Sequence, residues 1–494
     1  MHIAFINPQG NFDPQDSYWT QHPDFGGQLV YVKEVAIQLA LMNHQVDIIT
    51  RQIIDPEWPE FSARIDRYPE IDNLRIVRLP CGPNKFLNKE ELWPYLGTEW
   101  INNIQSYYQD DSPPDIFTTH YGDGGLCGVF LNQQIGVPFT FTGHSLGAQK
   151  MDKLGITPAS LADFDQQYKF SRRIAAERVS MNRCSCIFTS TKQERNVQYG
   201  HHAYREAVNP NDDSHFSVTP PGVNRQIFST DMSELDQSIE ERFTHAMESN
   251  IPKERYNLPL ILASSRLDPK KNHIGILQAF IADPTLQMKA NIALVVSGID
   301  DPLHNLSKAD PNERKVLREI ISLIDTNNLR EKVFSILINN QKELAAAYRY
   351  AASKKSIFIL TALYEPFGLA PLEAMSCGLP VVVTKNGGPS ESMIDKDNEY
   401  GVLVDPKDPK DIALGIIRLI GNESEWYEFH HAGIKRVISK YTWKRTAEGY
   451  LQMFRRILTD KLKGYNTEKI PDYFTNPNES DHTLINQLAA LYFN

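Results

Sequence analysis

The segment Tyr364–Pro389, YEPFGLAPLEAMSCGLPVVVTKNGGP, sets two carboxylates, Glu365 and Glu373, around a glycine-containing turn that opens a helix. Such a grouping suits a ligand with both hydroxyls and phosphates. Carboxylates accept hydrogen bonds from sugar hydroxyls, while backbone N–H groups and the positive end of a helix dipole take phosphate oxygens. Arg266 and Lys271, in SSRLDPKKN, lie five apart on a loop after an apolar run, so both can reach one diphosphate. Arg supplies a fork and Lys a point charge, and both stabilise a departing nucleoside diphosphate. No Asp-x-Asp pair stands at a strand end as a metal clamp, so these cations and the helix dipole are expected to neutralise the diphosphate without an essential metal or cofactor. Gly143–Gly147, GHSLG, ends another apolar run and spells G-x-S-x-G. A hydrolase with Ser145 as nucleophile is thus an alternative of another class, although it explains neither the phosphate loops nor most of the chain.

These residues need strands and loops to hold them. Apolar runs at 2–6, 45–50, 74–79, 115–119, 138–142, 186–190 and 216–219 predict strands, and the helix opened by Gly26-Gly27-Gln28 has apolar residues at helical spacing. The run at 216–219 leads into the break TPPGVN, after which strands recur at 259–265, 291–297, 333–337, 356–360 and 381–384. Helices are expected at 235–254, 315–324, 343–352 and 443–457, with a polar tail beyond. The fold class is α/β: two doubly wound, Rossmann-like domains. The expected boundaries are 1–222 for the first and 223–442 for the second. The first glycine-rich loop lacks the G-x-G-x-x-G of dinucleotide sites, so no nicotinamide cofactor is expected.

With 494 residues the chain is too long for one core. A net charge of −10 argues against a nucleic-acid or anionic-membrane partner. No apolar run is long enough to span a bilayer, and no signal-peptide pattern opens the chain. Five cysteines, odd in number and without paired metal spacing, fit a reducing, cytoplasmic setting.

The string EPFGLxxxEAxxxGxP followed by NGGP resembles the E-x7-E signature of retaining nucleotide-sugar glycosyltransferases of GT-B architecture, family 4. HPDFGGQLVYVKE, NKEELWPY, TTHYGDGG, TGHSLGAQK, RRIAAER and TPPGVN are similar to the sucrose-phosphate synthases within that group. The resemblance implies two domains facing across a cleft, a carboxyl-terminal segment, 443–494, returning to the first domain, and closure hinged near 220–223 and 443. It implies transfer of glucose from UDP-glucose to the 2-hydroxyl of fructose 6-phosphate with retained configuration, by same-face substitution in which a leaving phosphate oxygen takes the acceptor proton. It assigns Glu365 and His144 to the donor sugar and Glu373 to the ribose. Arg266, Lys271 and the backbone of Phe367, Gly368, Leu369 and Ala370 fall to the diphosphate and sugar. Gly27 and Ile338 complete the donor set. Gly27, Gln28, Tyr121 and His144 would meet the acceptor, with Lys89, Lys150, Arg172, Arg173 and Arg178 as cations for its phosphate. A sucrose synthase, which uses free fructose, would not need that cluster.

No phosphatase-like extension is read at the carboxyl end, so product hydrolysis would fall to a separate sucrose-phosphate phosphatase. The alternatives are a mannosylfructose-phosphate synthase using GDP-mannose and a non-catalytic sugar-nucleotide sensor.

Overall fold

The computed structural model describes residues 1–19, 22, 24–396, 398–477 and 482–493. The chain forms two compact units, Met1–Pro220 with Thr446–Asn494, and Pro221–Arg445.

In the first unit the apolar runs become β1 (His2–Ile6), β2 (Gln45–Arg51), β3 (Ile65–Arg67), β4 (Leu74–Leu79), β5 (Ile116–His120), β6 (Phe139–Thr142), β7 (Cys186–Thr189) and β8 (Phe216–Val218). Among the described residues these form one sheet, ordered β3-β4-β2-β1-β5-β6-β7-β8. Only β3 runs antiparallel, to β4. Near-continuous apolar strands are what a parallel sheet covered on both faces requires. The order reverses between β1 and β5, where Phe5 lies opposite Ile48 on one side and Thr118 on the other. Such a switch point leaves a crevice beyond the strand carboxyl ends. The loops after β1, β5 and β6 open there.

The second unit has β9 (Leu260–Ser264), β10 (Asn291–Val296), β11 (Val333–Leu337), β12 (Ile357–Leu360) and β13 (Val381–Thr384). It adds the short β14 (Ile394–Asp395), β15 (Asn398–Glu399) and β16 (Val402–Val404). Its main sheet is parallel, ordered β11-β10-β9-β12-β13-β16. Alternate residues feed two cores: Leu260, Leu262, Phe358, Leu360, Val381 and Val383 one face, Ile261, Ala263, Ile357, Ile359 and Val382 the other. Here the switch point lies between β9 and β12, whose following loops carry Arg266, Lys271 and Glu365.

From Thr446 the helix Trp443–Asp460 belongs to the first unit. Tyr450 stacks on Phe188 with ring centroids 3.8 Å apart and hydrogen-bonds Thr142 and Tyr31 at 3.0 and 3.1 Å. The sequence read the tail as polar, yet His482–Phe493 is a helix whose Leu484 and Leu488 enter the first core. Among the described residues, no helix is long and apolar enough to cross a membrane.

Candidate active site

Lys89, Tyr121, Lys150 and Arg173 line one cavity of about 270 Å³ in the first unit, with Gln9, Glu90, Trp93, Gly122, Asp123, Ser145 and Tyr168. Each cation is held by a different device. The Lys89 ammonium pairs with buried Asp24 and lies 3.5 Å from Glu90. Burial opposes its charge, but those carboxylates prevail and raise its pKa. Lys150 sits 4.0 Å over the Tyr168 ring. Burial, then repulsion from Arg173 and Lys89, lowers its pKa, so an arriving anion would relieve it. Arg173 Nε donates to Glu177 Oε1 at 2.9 Å, and its Nη2 to the Ser145 carbonyl. Glu177, wholly buried, also accepts from the Gly147 N–H at 3.0 Å and from the Tyr204 hydroxyl. It thereby closes the start of the helix Gly147–Leu154 while aiming Arg173.

The ring of His144 lies beside the cavity, 5.3 Å from that of Tyr121. His144 has φ +54°, a left-handed backbone uncommon outside glycine, and its Nε2 is 2.8 Å from His120 Nδ1. Burial holds its pKa at about 3, so it is neutral at physiological pH. No imidazole or carboxylate among the described residues hydrogen-bonds the Ser145 hydroxyl, and the adjacent His144 is engaged with His120. A serine nucleophile lacks its base here.

Gly27 begins the helix Gly27–Leu41, after an N-cap with no side-chain hydrogen bond, and open space lies where its Cβ would be. Gln28 Nε2 donates to Asn7 Oδ1 at 3.3 Å and to the Gln9 carbonyl at 3.4 Å, while its Oε1 is buried without a partner. Both neighbours sit on the loop after β1 that lines the cavity.

Two expected cations fall elsewhere. Arg178 Nε donates to Glu468 at 2.7 Å, and its Nη1 to the Ala203 and Arg205 carbonyls at 2.7 and 2.9 Å. It lines a separate cavity of about 510 Å³ against the carboxyl-terminal segment. Arg172 lays its guanidinium over the Tyr473 ring at 4.4 Å. The reason is helical geometry. Five positions on a helix turn a side chain by roughly 140°, and one position by about 100°, so Arg173 cannot share its face with either.

In the second unit Lys271 Nζ pairs with Glu365 Oε2 at 2.7 Å, and Arg266 is exposed on the same loop. Asn272 fixes that loop: its Nδ2 donates to the Thr361 and Pro406 carbonyls at 3.1 and 2.7 Å. The Glu365 loop is locked to NGGP. Glu365 N–H donates to the Asn386 carbonyl at 3.1 Å, and Gly388 N–H to the Glu365 carbonyl at 2.9 Å. A Cβ on Gly387, φ +102°, would lie 1.9 Å from that carbonyl oxygen, and one on Gly388 2.4 Å from the Phe367 oxygen.

Phe367 precedes Gly368, φ +90°, which begins the helix Leu369–Ser376 containing Ala370 and Glu373. Burial pushes the Glu373 carboxyl up to about 7. Ile338, just past β11, is buried. It stands three strands from β12 along the same edge, roughly 14 Å away.

Sequence reasoning missed Glu177, Asp24, His120 and Asp123. The Arg173-to-Glu177 spacing of four was a legible signal. Asp123, nearly buried in the cavity wall with its carboxyl lifted to about 7 by burial, had no signal of its own.

Comparison with known proteins identifies the family. Residues 247–436 match the family described as glycosyl transferases group 1, and residues 1–241 the first GT-B domain of sucrose synthase. The probable sucrose-phosphate synthase of Thermosipho melanesiensis is 43% identical over 92% of this chain and 97% of its own length. The chain belongs to the sucrose-phosphate synthase family. It is accordingly a glycosyltransferase. The sucrose-phosphate synthases of Spinacia oleracea and Zea mays are each 30% identical, and the chain spans about half their length, 49% and 47%. A solved sucrose-phosphate synthase from Thermosynechococcus elongatus superposes with a TM-score of 0.63 at 23% identity, over 93% of this chain and 100% of that one. That likeness shows the GT-B fold.

Proposed function

We propose that this chain transfers glucose from UDP-glucose to the 2-hydroxyl of fructose 6-phosphate, giving sucrose 6-phosphate and UDP with the anomeric configuration retained. The observation that carries the reading is the first-unit cavity, where Lys89, Lys150 and Arg173 converge beside a hydroxyl-binding wall of Tyr121, Asp123 and Gln9. Three cations suit a phosphate dianion. Lys89 and Arg173 already have carboxylate partners, but Lys150 faces their charge with none among the described residues, so a phosphate relieves it where a free ketose would not. The family's named relatives support the same acceptor.

The donor falls to the second unit. Glu373 accepts from the ribose, while Arg266, Lys271 and the backbone of Phe367 to Ala370 meet the diphosphate. Glu365 orients the glucosyl hydroxyls, and its ion pair with Lys271 links the sugar site to the phosphate site. Gly27 and Ile338 complete the donor set, and His144 offers a neutral imidazole to a sugar hydroxyl.

In the transfer, the bond from the anomeric carbon to the β-phosphate oxygen breaks. The acceptor oxygen bonds to that carbon on the same face, and its proton passes to the leaving phosphate. Arg266 and Lys271 stabilise the charge that develops there, so activity is expected to survive chelation of divalent metals. Product release to a separate phosphatase and a cytoplasmic setting complete the proposal.

Incubation with fructose 6-phosphate and each nucleotide sugar in turn tests it. Product with UDP-glucose supports the reading. Product only with GDP-mannose, or with none, overturns it.

A further inference from the structure

His120 closes β5 and is wholly buried, and its ring runs parallel to Phe5 with centroids 5.6 Å apart. Its Nδ1 lies 2.8 Å from His144 Nε2, with the ring planes inclined by 23° and the centroids 5.0 Å apart. That separation is close to the N···N distance plus the two ring radii, so both nitrogens lie near the line joining the rings, as an N–H···N bond requires. Tyr31 stands edge-on to both rings, at 6.1 and 5.1 Å. Burial disfavours charge on either imidazole, so each carries one proton.

One proton lies between the rings, and two arrangements are open. If His144 donates through Nε2, His120 must carry its own proton on Nε2. That atom is buried with no hydrogen-bond partner, so a donor would be stranded there. Stranding a buried N–H costs about 1–3 kcal/mol. If His120 donates through Nδ1, its buried Nε2 holds only a lone pair, and His144 keeps its proton on Nδ1. The hydrogen bond at one nitrogen of a histidine fixes what the other can do.

We infer that His120 is a positioning residue that donates from Nδ1 to His144 Nε2 and so fixes His144 as an Nδ1–H donor toward the sugar site. The consequence for transfer rests on the proposed function; the tautomer does not.

Protein labelled with 15N at histidine, read by long-range 1H–15N correlation and assigned with single His variants, should show both rings protonated at Nδ1 in the native protein. In His120→Phe the fixed His144 tautomer should be lost and kcat/KM for the donor should fall roughly tenfold, the worth of one neutral hydrogen bond. His120→Asn, whose amide N–H can stand where Nδ1 stood, should restore the tautomer and most of the rate. A native spectrum with His144 protonated at Nε2 overturns the inference even if no variant folds. So does His120→Phe with an unchanged His144 tautomer. If the tautomer is as stated but no sugar is transferred, the proposed function fails and the tautomer assignment stands.

Discussion

At the scale of single residues, two shifted groups give opposite pH signatures. Glu373 is held near 7 by burial. Its ionised form is the better acceptor for ribose hydroxyls, so the donor KM should rise as pH falls below about 7, and Glu373→Gln should flatten that limb. Initial rates at fixed saturating acceptor from pH 5.5 to 8.5 check this. A donor KM that stays flat in the native protein contradicts the role. Lys150 is displaced downward by burial and by Arg173 and Lys89. A bound phosphate favours its charged form, so acceptor affinity should weaken as pH rises through the lowered pKa. Lys150→Arg, which stays protonated, should move that loss to higher pH. The carboxylates and loop cations were legible in the sequence because their chemistry is local. Of the partners that aim them, Glu177 was legible four positions after Arg173, but Asp24 was not: it lies 65 positions from Lys89, and only the fold brings the two together.

At the scale of elements, the helix Phe170–Arg183 sorts its arginines by face. Arg178 is committed to Glu468 and two carbonyls. Arg178→Ala should therefore lower stability by roughly 3 kcal/mol, the order found when one partner of a buried ion pair is removed, while the acceptor KM stays near native. Arg173→Ala should raise the acceptor KM by roughly 10- to 100-fold, as loss of a charge-assisted contact does. Thermal melts and acceptor titrations of the pair separate the two roles, and the reverse pattern would return Arg178 to the phosphate. The strand runs were readable because parallel strands buried on both faces are apolar throughout. β3 was not: its three residues, Ile-Asp-Arg, are largely exposed and carry no pattern. NGGP was legible as a turn, but its function as the seat of the Glu365 loop appears only in the packing. Gly387→Ala forces a Cβ against the Glu365 carbonyl at positive φ, with backbone strain alone on the order of 1–3 kcal/mol. It should raise the donor KM and leave the acceptor KM intact; a crystal structure with the loop unmoved would contradict this.

At the scale of the whole molecule, each unit places its chemistry beyond the carboxyl ends of its own parallel sheet, where the strand order reverses. The two sheets could be read from sequence because TPPGVN interrupts an otherwise regular strand–helix succession. The membership of Thr446–Asn494 in the first unit followed from family resemblance rather than from pattern, and the closing helix His482–Phe493 was hidden behind polar residues. The account as a whole stands on a phosphorylated acceptor. The most direct test compares kcat/KM for fructose 6-phosphate and for free fructose, with UDP-glucose as donor, in the native protein and in Lys150→Ala. The prediction is sucrose 6-phosphate from the native protein, a strong preference for the phosphorylated ketose, and a preference narrowed roughly 10- to 100-fold by the substitution. Equal use of the two ketoses by the native protein, or a preference untouched by the loss of Lys150, would contradict it.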